Sequence, residues 1–253
     1  MPRVHLHRID EPQRCSYLPG KTAQLEQRYM TEVTVEDLDA LLERGWRRFG
    51  PLYFRPACTP CGECVSLRVP VSTFTGTDSQ RRALRRSRRF RRTFGKPIVD
   101  DERLALYRAW HAAREDVRGW EPSELDAEGY AMQFAFPHPA IHELALYDGD
   151  RLVLVGLWDV APRGMSAIYC FFDPEYARLS LGVANVMNGL ELAREREIPF
   201  VYLGFRVLGC ESLRYKDAFR PHELLEGRPS FREAPRWVPA PPLQPSPEAS
   251  SSR

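Results

Sequence analysis

Three cysteines within one short loop, Cys58-Thr59-Pro60-Cys61-Gly62-Glu63-Cys64, carry the strongest chemical signal in this 253-residue sequence. A C-x2-C-x2-C run lets successive thiolates turn toward one centre, and Pro60 and Gly62 supply the tight backbone. A metal held this way takes a fourth ligand. Cys15, just ahead of Tyr17-Leu18-Pro19-Gly20, completes the candidate metal set of Cys15, Cys58, Cys61 and Cys64. Thiolate ligation is compatible with an iron–sulfur cluster or with zinc. The x3-C-P continuation of bacterial ferredoxins is missing, which argues against simple electron transfer. Cys170, between Tyr169 and Phe171, reads instead as a small hydrophobe in a buried strand.

The second signal is charge. A formal net charge of +2 hides a block from Arg81 to Arg92 that contains eight arginines and no acid. Arginine suits phosphate recognition because its planar fork bonds two oxygens and never loses its charge. Arg81, Arg82, Arg85 and Arg86 fall on one broad side of a helix, and the absence of interspersed acids favours nucleic-acid contact over a merely solvated face. No groove-reading motif accompanies the block. Recognition of RNA by shape and backbone is therefore expected, rather than readout of a DNA sequence.

The elements that must hold these groups are legible from local pattern. Thr34, three residues before Asp37, predicts an N-cap for a helix from Val35 to Arg44 that Gly45 ends. Strands are expected over Trp46–Phe54, broken at Gly50-Pro51, and over Val65–Val71, with the arginine helix starting near Asp78-Ser79. A helix follows from Asp100-Asp101-Glu102 through Arg114, and another from Ser123. Next come a hairpin, His142–Tyr147 and Arg151–Asp159 about the turn Asp148-Gly149-Asp150, and a strand over Met165–Phe172. A helix over Ser180–Arg196 and a strand over Pro199–Gly204 complete the pattern. The order predicts an α+β protein with a mixed sheet.

Composition agrees. The chain is 43% apolar with a mean hydropathy of −0.43 and has no run of about 18 apolar residues, so a bilayer-spanning helix is excluded. Met1 to Arg8 lacks the apolar stretch of an export signal, so a cytoplasmic protein with reduced cysteines is expected. Pro239, Pro241, Pro242, Pro245 and Pro247, followed by three serines, predict a disordered tail over 239–253. The rest divides into a cysteine- and arginine-rich part over 1–97 and a second domain over 98–238.

Read together, several separated motifs occur in a fixed order. They are Cys15-Ser16-Tyr17-Leu18-Pro19-Gly20, Tyr53-Phe54-Arg55-Pro56-Ala57-Cys58 with Cys61 and Cys64, and Ser79-Gln80-Arg81-Arg82. Ser166-Ala167-Ile168-Tyr169-Cys170-Phe171-Phe172-Asp173-Pro174, Tyr202-Leu203-Gly204, Gly209-Cys210 and Tyr215-Lys216-Asp217-Ala218-Phe219-Arg220-Pro221 follow. From about Arg14 to Glu226 the chain thus resembles the aminoacyl-tRNA–protein transferase family, whose bacterial members are aspartate/glutamate leucyltransferases. The resemblance implies transfer of leucine or arginine from its charged tRNA to the amino group of proteins beginning with Asp or Glu, which marks them for degradation. It also implies a GNAT-like acyltransferase fold in the C-terminal half, and an iron–sulfur cluster or zinc on the N-terminal cysteines.

Aminoacyl transfer from an ester to an amine needs a neutral, positioned amine, and a terminal amino group has a pKa of about 7.7–8.0. Asp159 and Asp173, at two strand ends, are candidates to orient the amine or take its proton. Tyr169 is a candidate donor to the ester carbonyl or the leaving ribose oxygen. Lys216 could neutralise developing charge or hold the tRNA 3′ end. Arg55, Arg206 and Arg220 are unranked candidates to meet an acidic acceptor side chain. Two other readings compete. A metal-stabilised RNA-binding module without catalysis leaves the Tyr169–Asp173 and Tyr202–Lys216 motifs unexplained. An acyl-CoA-dependent N-acyltransferase would use Arg178–Ala184 as a phosphate-accepting helix start, but the repeated glycine of a pyrophosphate loop is missing.

Overall fold

A computed structural model describes residues 2–118, 123 and 125–242. The chain begins with β1 (Arg3–Ile9), a small hairpin of β2 (Gln13–Arg14) and β3 (Thr22–Ala23), and β4 (Leu25–Thr31). Helix α1 (Val35–Glu43) follows, capped as expected: Thr34 Oγ1 accepts from the Asp37 N–H, and Asp37 returns a bond to the Thr34 N–H. β5 (Arg47–Phe49) and β6 (Leu52–Pro56) form the predicted broken strand and complete a four-stranded antiparallel sheet, ordered β1–β4–β6–β5.

The second half of the architecture is one large sheet. Its members are β7 (Val65–Pro70), β8 (Arg91–Gly95), β9 (Ile141–Asp148), β10 (Arg151–Val160), β11 (Gly164–Phe172), β12 (Phe200–Arg206), β13 (Glu223–Leu225) and β14 (Trp237–Pro239). They lie in the order β14–β13–β7–β12–β11–β10–β9–β8. Because β7 and β8 precede residue 97, this sheet is shared between the cysteine- and arginine-rich part and the remainder of the chain. The helices are α2 (Asp78–Ser87), α3 (Asp101–Arg118), α4 (Ala127–Phe134), α5 (Leu181–Glu195) and the short α6 (Glu211–Arg214). Helix α2 packs on α5, where Asn188 donates to Ser87 Oγ at 3.2 Å, and α3 and α5 both pack on the sheet. Gly189 lets α5 approach closely: a Cβ there would stand 2.2 Å from the Trp158 ring. The α+β class and the mixed sheet are as the pattern predicted.

Three details differ from expectation. Helix α4 (Ala127–Phe134) starts four residues later than Ser123, because Asp126 caps it by accepting from the Gly129 N–H at 2.7 Å. Arg91 and Arg92 leave the arginine helix and lie in strand β8. The tail begins later than Pro239: Pro239 pairs with Glu223, and the Ala240 N–H donates to the His222 carbonyl at 2.9 Å. The remainder of the expected tail, from residue 243, lies outside the described residues.

The topology creates one opening. Strands β11 and β12 are the parallel pair of the sheet among the described residues, matched only at Gly164–Phe200, Met165–Val201 and Ser166–Tyr202. Beyond that point both strands continue, to Phe172 and Arg206, without pairing to each other. On its other side β12 slips register against β7 between Tyr202 and Phe205, with Gly204 at φ +78°. That left-handed bulge suits glycine and turns the end of β12 away from β11.

Candidate active site

The split between β11 and β12 is lined by the motif residues. Tyr169 and Cys170 stand on the unpaired part of β11, and Gly204 and Phe205 on that of β12. A 3-10 turn over Tyr215–Ala218 then brings Lys216 to Phe205, where its Nζ donates to the Phe205 carbonyl at 3.2 Å. A Cβ at residue 204 would sit 3.4 Å from Lys216 Nζ, a second reason for glycine there.

The electrostatics of this cleft are those of a desolvated site that still opens to water. Lys216 is only half-buried by exposure, yet burial of its ammonium, followed by the neighbouring Arg47 charge, pulls its pKa down to about 8. Arg47 lies buried beneath, with its guanidinium carbon 5.2 Å from the Tyr202 ring and 5.7 Å from the Phe205 ring. Burial pushes Cys170 up to about 12, so it is a thiol at neutral pH, in keeping with the reading of it as a small hydrophobe. Tyr169 stacks on Phe134 with centroids 5.3 Å apart, and burial raises its phenol, leaving a neutral hydroxyl. Tyr215, 44% exposed, stands near Cys170, with its phenol raised to about 12 by burial.

The two aspartates lie elsewhere in different roles. Asp159 is buried in an ion pair with Arg48, each side chain 2% exposed, and both of its oxygens accept from Arg48. It ties β10 to β5, with both oxygens engaged by Arg48. Asp173 caps the 3-10 turn over Pro174–Leu179 by accepting from the Glu175 N–H, and its second oxygen accepts from Arg151. Lys216 thus sits at the β12 side of the split, the Tyr169 ring packs against Phe134 and Tyr107, and Asp159 and Asp173 are held in ion pairs with Arg48 and Arg151.

The arginine helix presents Arg81, Arg82, Arg85 and Arg86 on its exposed face, opposite buried Gln80, Ala83, Leu84 and Ser87. Acids answer part of the block: Arg81 pairs with Asp78, Arg88 with Glu191, Arg89 with Asp148 and Arg92 with Glu195. Among the described residues Arg82, Arg85 and Arg86 have no carboxylate partner.

Cys58, Cys61 and Cys64 line one cavity. Cys15 and Cys64 are joined around Tyr17 by Cys210, which the sequence had left in a distant loop; burial and then these neighbours raise the Tyr17 phenol to about 12. Gly209 explains the approach, since a Cβ there would stand 2.8 Å from Leu18. All six cysteines are free thiols, and among the described residues no three His, Cys, Asp or Glu side chains converge into a metal-ligating group. The sulfurs of Cys15 and Cys58 each accept a backbone N–H at 3.4 Å, from Tyr17 and Gln24.

Residues that sequence reasoning missed are Arg47, Arg48, Tyr215 and Cys210. Gly209-Cys210 and Tyr215 lay inside quoted motifs, whereas nothing near Arg47 or Arg48 in sequence reveals their partners. No helix among the described residues is long and apolar enough to cross a membrane.

Comparison with known proteins follows the same lines. Residues 13–82 match the family described as arginine-tRNA-protein transferase, N terminus, and residues 102–226 match its C-terminus counterpart. An aspartate/glutamate leucyltransferase of Campylobacter jejuni is 34% identical over 221 residues, spanning 85% of this chain and 90% of that protein. One of Halorhodospira halophila is 34% identical over 228 residues, 89% of this chain and 94% of the relative. Among solved structures, FemX aligns over 79% of each chain with a TM-score of 0.44 and 10% identity, too loose to bear on the site. With both halves of the family matched in order, and full-length relatives above 30% identity, the chain belongs to the arginine-tRNA–protein transferase family and is an aminoacyl-tRNA–protein transferase.

Proposed function

We propose that the enzyme transfers leucine from leucyl-tRNA to the α-amino group of proteins whose first residue is Asp or Glu, marking them for degradation. The donor and acceptor follow the names of its relatives. The observation that carries the chemistry is Lys216, an amine of pKa about 8 at the mouth of the β11–β12 split. In the reaction the acceptor nitrogen attacks the ester carbonyl, a C–N bond forms and the C–O bond to the ribose breaks. Neutral Lys216 takes the proton released by the attacking amine and hands it to the departing ribose oxygen, which leaves as a hydroxyl. The Tyr169 hydroxyl is a neutral donor for the carbonyl oxygen as it gains charge. A parallel pair that parts midway, with α5 as its crossover, supports a GNAT-like reading of this half of the fold. Incubating the protein with labelled leucyl-tRNA, arginyl-tRNA or acetyl-CoA and an Asp-initiated peptide tests the assignment. Leucine on the peptide amine is expected, and label arriving only from acetyl-CoA would overturn it.

The tRNA surface assigned here is the exposed face of α2, carried by Arg82, Arg85 and Arg86 with Arg81 beside them. Each phosphate contact releases counterions, so affinity should fall steeply with salt. Replacing Arg82 and Arg86 by alanine should weaken tRNA binding and flatten the dependence on log salt by nearly one per contact, about two in all. Anisotropy titrations at several salt concentrations check this, and an unchanged slope would mean that the face is only solvated.

Cys15, Cys58, Cys61 and Cys64 are proposed to hold an iron–sulfur cluster or zinc. The donor set fits. Burial and then the charges of Cys58, Cys15 and Cys61 raise Cys64 to about 12, a repulsion that a cation relieves. Two of the sulfurs already accept N–H bonds of the kind that support metal thiolates. A bound metal would cross-link the loop around Cys61 to the turn at Tyr17. Iron, sulfide and zinc analysis after anaerobic purification should find one centre per chain. Cys58→Ser and Cys61→Ser should lose it and Cys170→Ser should keep it; equal loss in all three would refute the assignment.

A further inference from the structure

The cavity beside the cleft has a one-sided charge. It measures about 370 Å³, Phe205 stands in its wall, and its lining includes Arg44, Arg55 and Arg228 but no aspartate or glutamate. That is notable in a chain with 36 basic and 34 acidic residues. The three arginines are not equivalent. Arg44 is a clamp: Nε, Nη1 and Nη2 donate to the carbonyls of Ser230, Ala40 and Glu233. Arg55 pairs through Nε with Glu26 at 2.7 Å and donates from Nη1 to Pro229 O at 2.9 Å, and among the described residues Nη2 has no hydrogen bond. Arg228 is exposed, and its side chain donates from Nη1 to Pro56 O at 3.4 Å, its one hydrogen bond among the described residues. Among the described residues neither Arg44 nor Arg228 has a carboxylate partner.

The other two candidate cations, Arg206 and Arg220, do not line this cavity and share one carboxylate. Both donate to the Asp217 carboxylate, at 3.2 and 2.7 Å. This leaves the cavity as the positive site next to the transfer cleft, and Phe205 joins the two. It lines the cavity, and its carbonyl holds Lys216. Cys64, another lining residue, also lies close enough to Lys216 for its charge to be felt there.

We propose that this cavity is the pocket for the acidic side chain of the acceptor's first residue, with Arg228 and Arg55 Nη2 receiving its carboxylate. In an N-terminal aspartate only two carbons separate the amine from the carboxyl group, so a side chain seated here carries its amine to the Phe205 edge and toward Lys216. The pocket is built largely from the N-terminal half of the chain, so acceptor recognition and transfer are divided between the two halves. A guanidinium–carboxylate bond is strong because both partners are charged, and an asparagine in the same place cannot reproduce it. The inference rests on the reading that acceptors begin with Asp or Glu.

The same arginines could serve the thiolates across the cavity instead, and the test separates the two roles. Asp- and Asn-initiated peptides are compared for kcat/KM and, by anisotropy, for binding, with metal content measured in every preparation. Wild type should favour the Asp peptide. In Arg228→Gln the Asp-to-Asn ratio should fall about tenfold, mainly through KM and binding, and in Arg228→Glu further, with Arg228→Lys recovering part of the loss. Metal content and tRNA affinity should hold in all three. An unchanged ratio in both Arg228→Gln and Arg228→Glu would overturn the pocket. So would loss of metal with the ratio preserved in the metal-loaded fraction. If wild type neither binds nor modifies either peptide, the acceptor reading itself falls, a result distinct from a pocket that binds both peptides equally.

Discussion

Lys216→Met is expected to reduce turnover about 10²–10⁴-fold, the range lost when a positioned general base is removed, while tRNA affinity stays near wild type. The physical basis is the depressed pKa. Burial and the Arg47 charge bring the ammonium down to about 8, so a useful fraction is neutral at physiological pH and can accept a proton. The same depression has a cost in stability that gives an independent reading. The folded-state pKa, about 8, is below the ordinary lysine value of 10.5, so the unfolded chain binds the proton more tightly. Below pH 8 both states are protonated and the penalty of enclosing the charge is full; it disappears as pH rises from 8 to 10.5. Lys216→Met should therefore raise Tm at pH 7, with the gain shrinking toward pH 10. Thermal melts across this window, run beside single-turnover transfer, check both halves. A variant that lost stability together with activity would mark Lys216 as a structural residue.

Breaking the Arg48–Asp159 pair should give the largest loss of stability. Both side chains are 2% exposed, and Arg48 also donates from Nη1 to the Gly50 carbonyl at 2.9 Å. Removing one partner leaves a buried, uncompensated charge, so Asp159→Ala should cost about 3–5 kcal/mol by urea unfolding. The double variant Arg48→Met, Asp159→Leu should recover much of this, because the penalty belongs to the orphaned charge and not to the missing bond. Asp159→Asn separates this role from catalysis. Its folded fraction should retain transfer, whereas a base at this position would lose it entirely.

Much of the fold was legible because the deciding interactions are local. The Thr34–Asp37 capping box, the hairpin turning at Gly149-Asp150 and the arginine helix beginning after Thr77 each depend on neighbours a few residues apart. Ser123 failed as a helix start for the same reason. Asp126 offered a competing cap, and which one is used depends on how α4 packs Tyr130 and Phe134 into the core. The sheet of β1 and β4 was not anticipated, since β1 is exposed at all seven positions and has no buried face to impose a pattern.

The sequence by itself determined the α+β class and the reaction family through the order of its motifs, and it singled out the cysteine and arginine groups. It could not separate Asp159 from any other strand-end aspartate, nor rank Arg55, Arg206 and Arg220. Those distinctions lie in partners far along the chain: Asp159 meets Arg48 across 111 positions, and Arg55 reaches Pro229 across 174. Only the tertiary structure decided them, because a charged side chain is structural or available for chemistry according to whether folding supplies its counter-charge. Cys210 beside Cys64 and Lys216 on Phe205 were decided in the same way, by loops that local pattern leaves free and that packing against distant strands fixes.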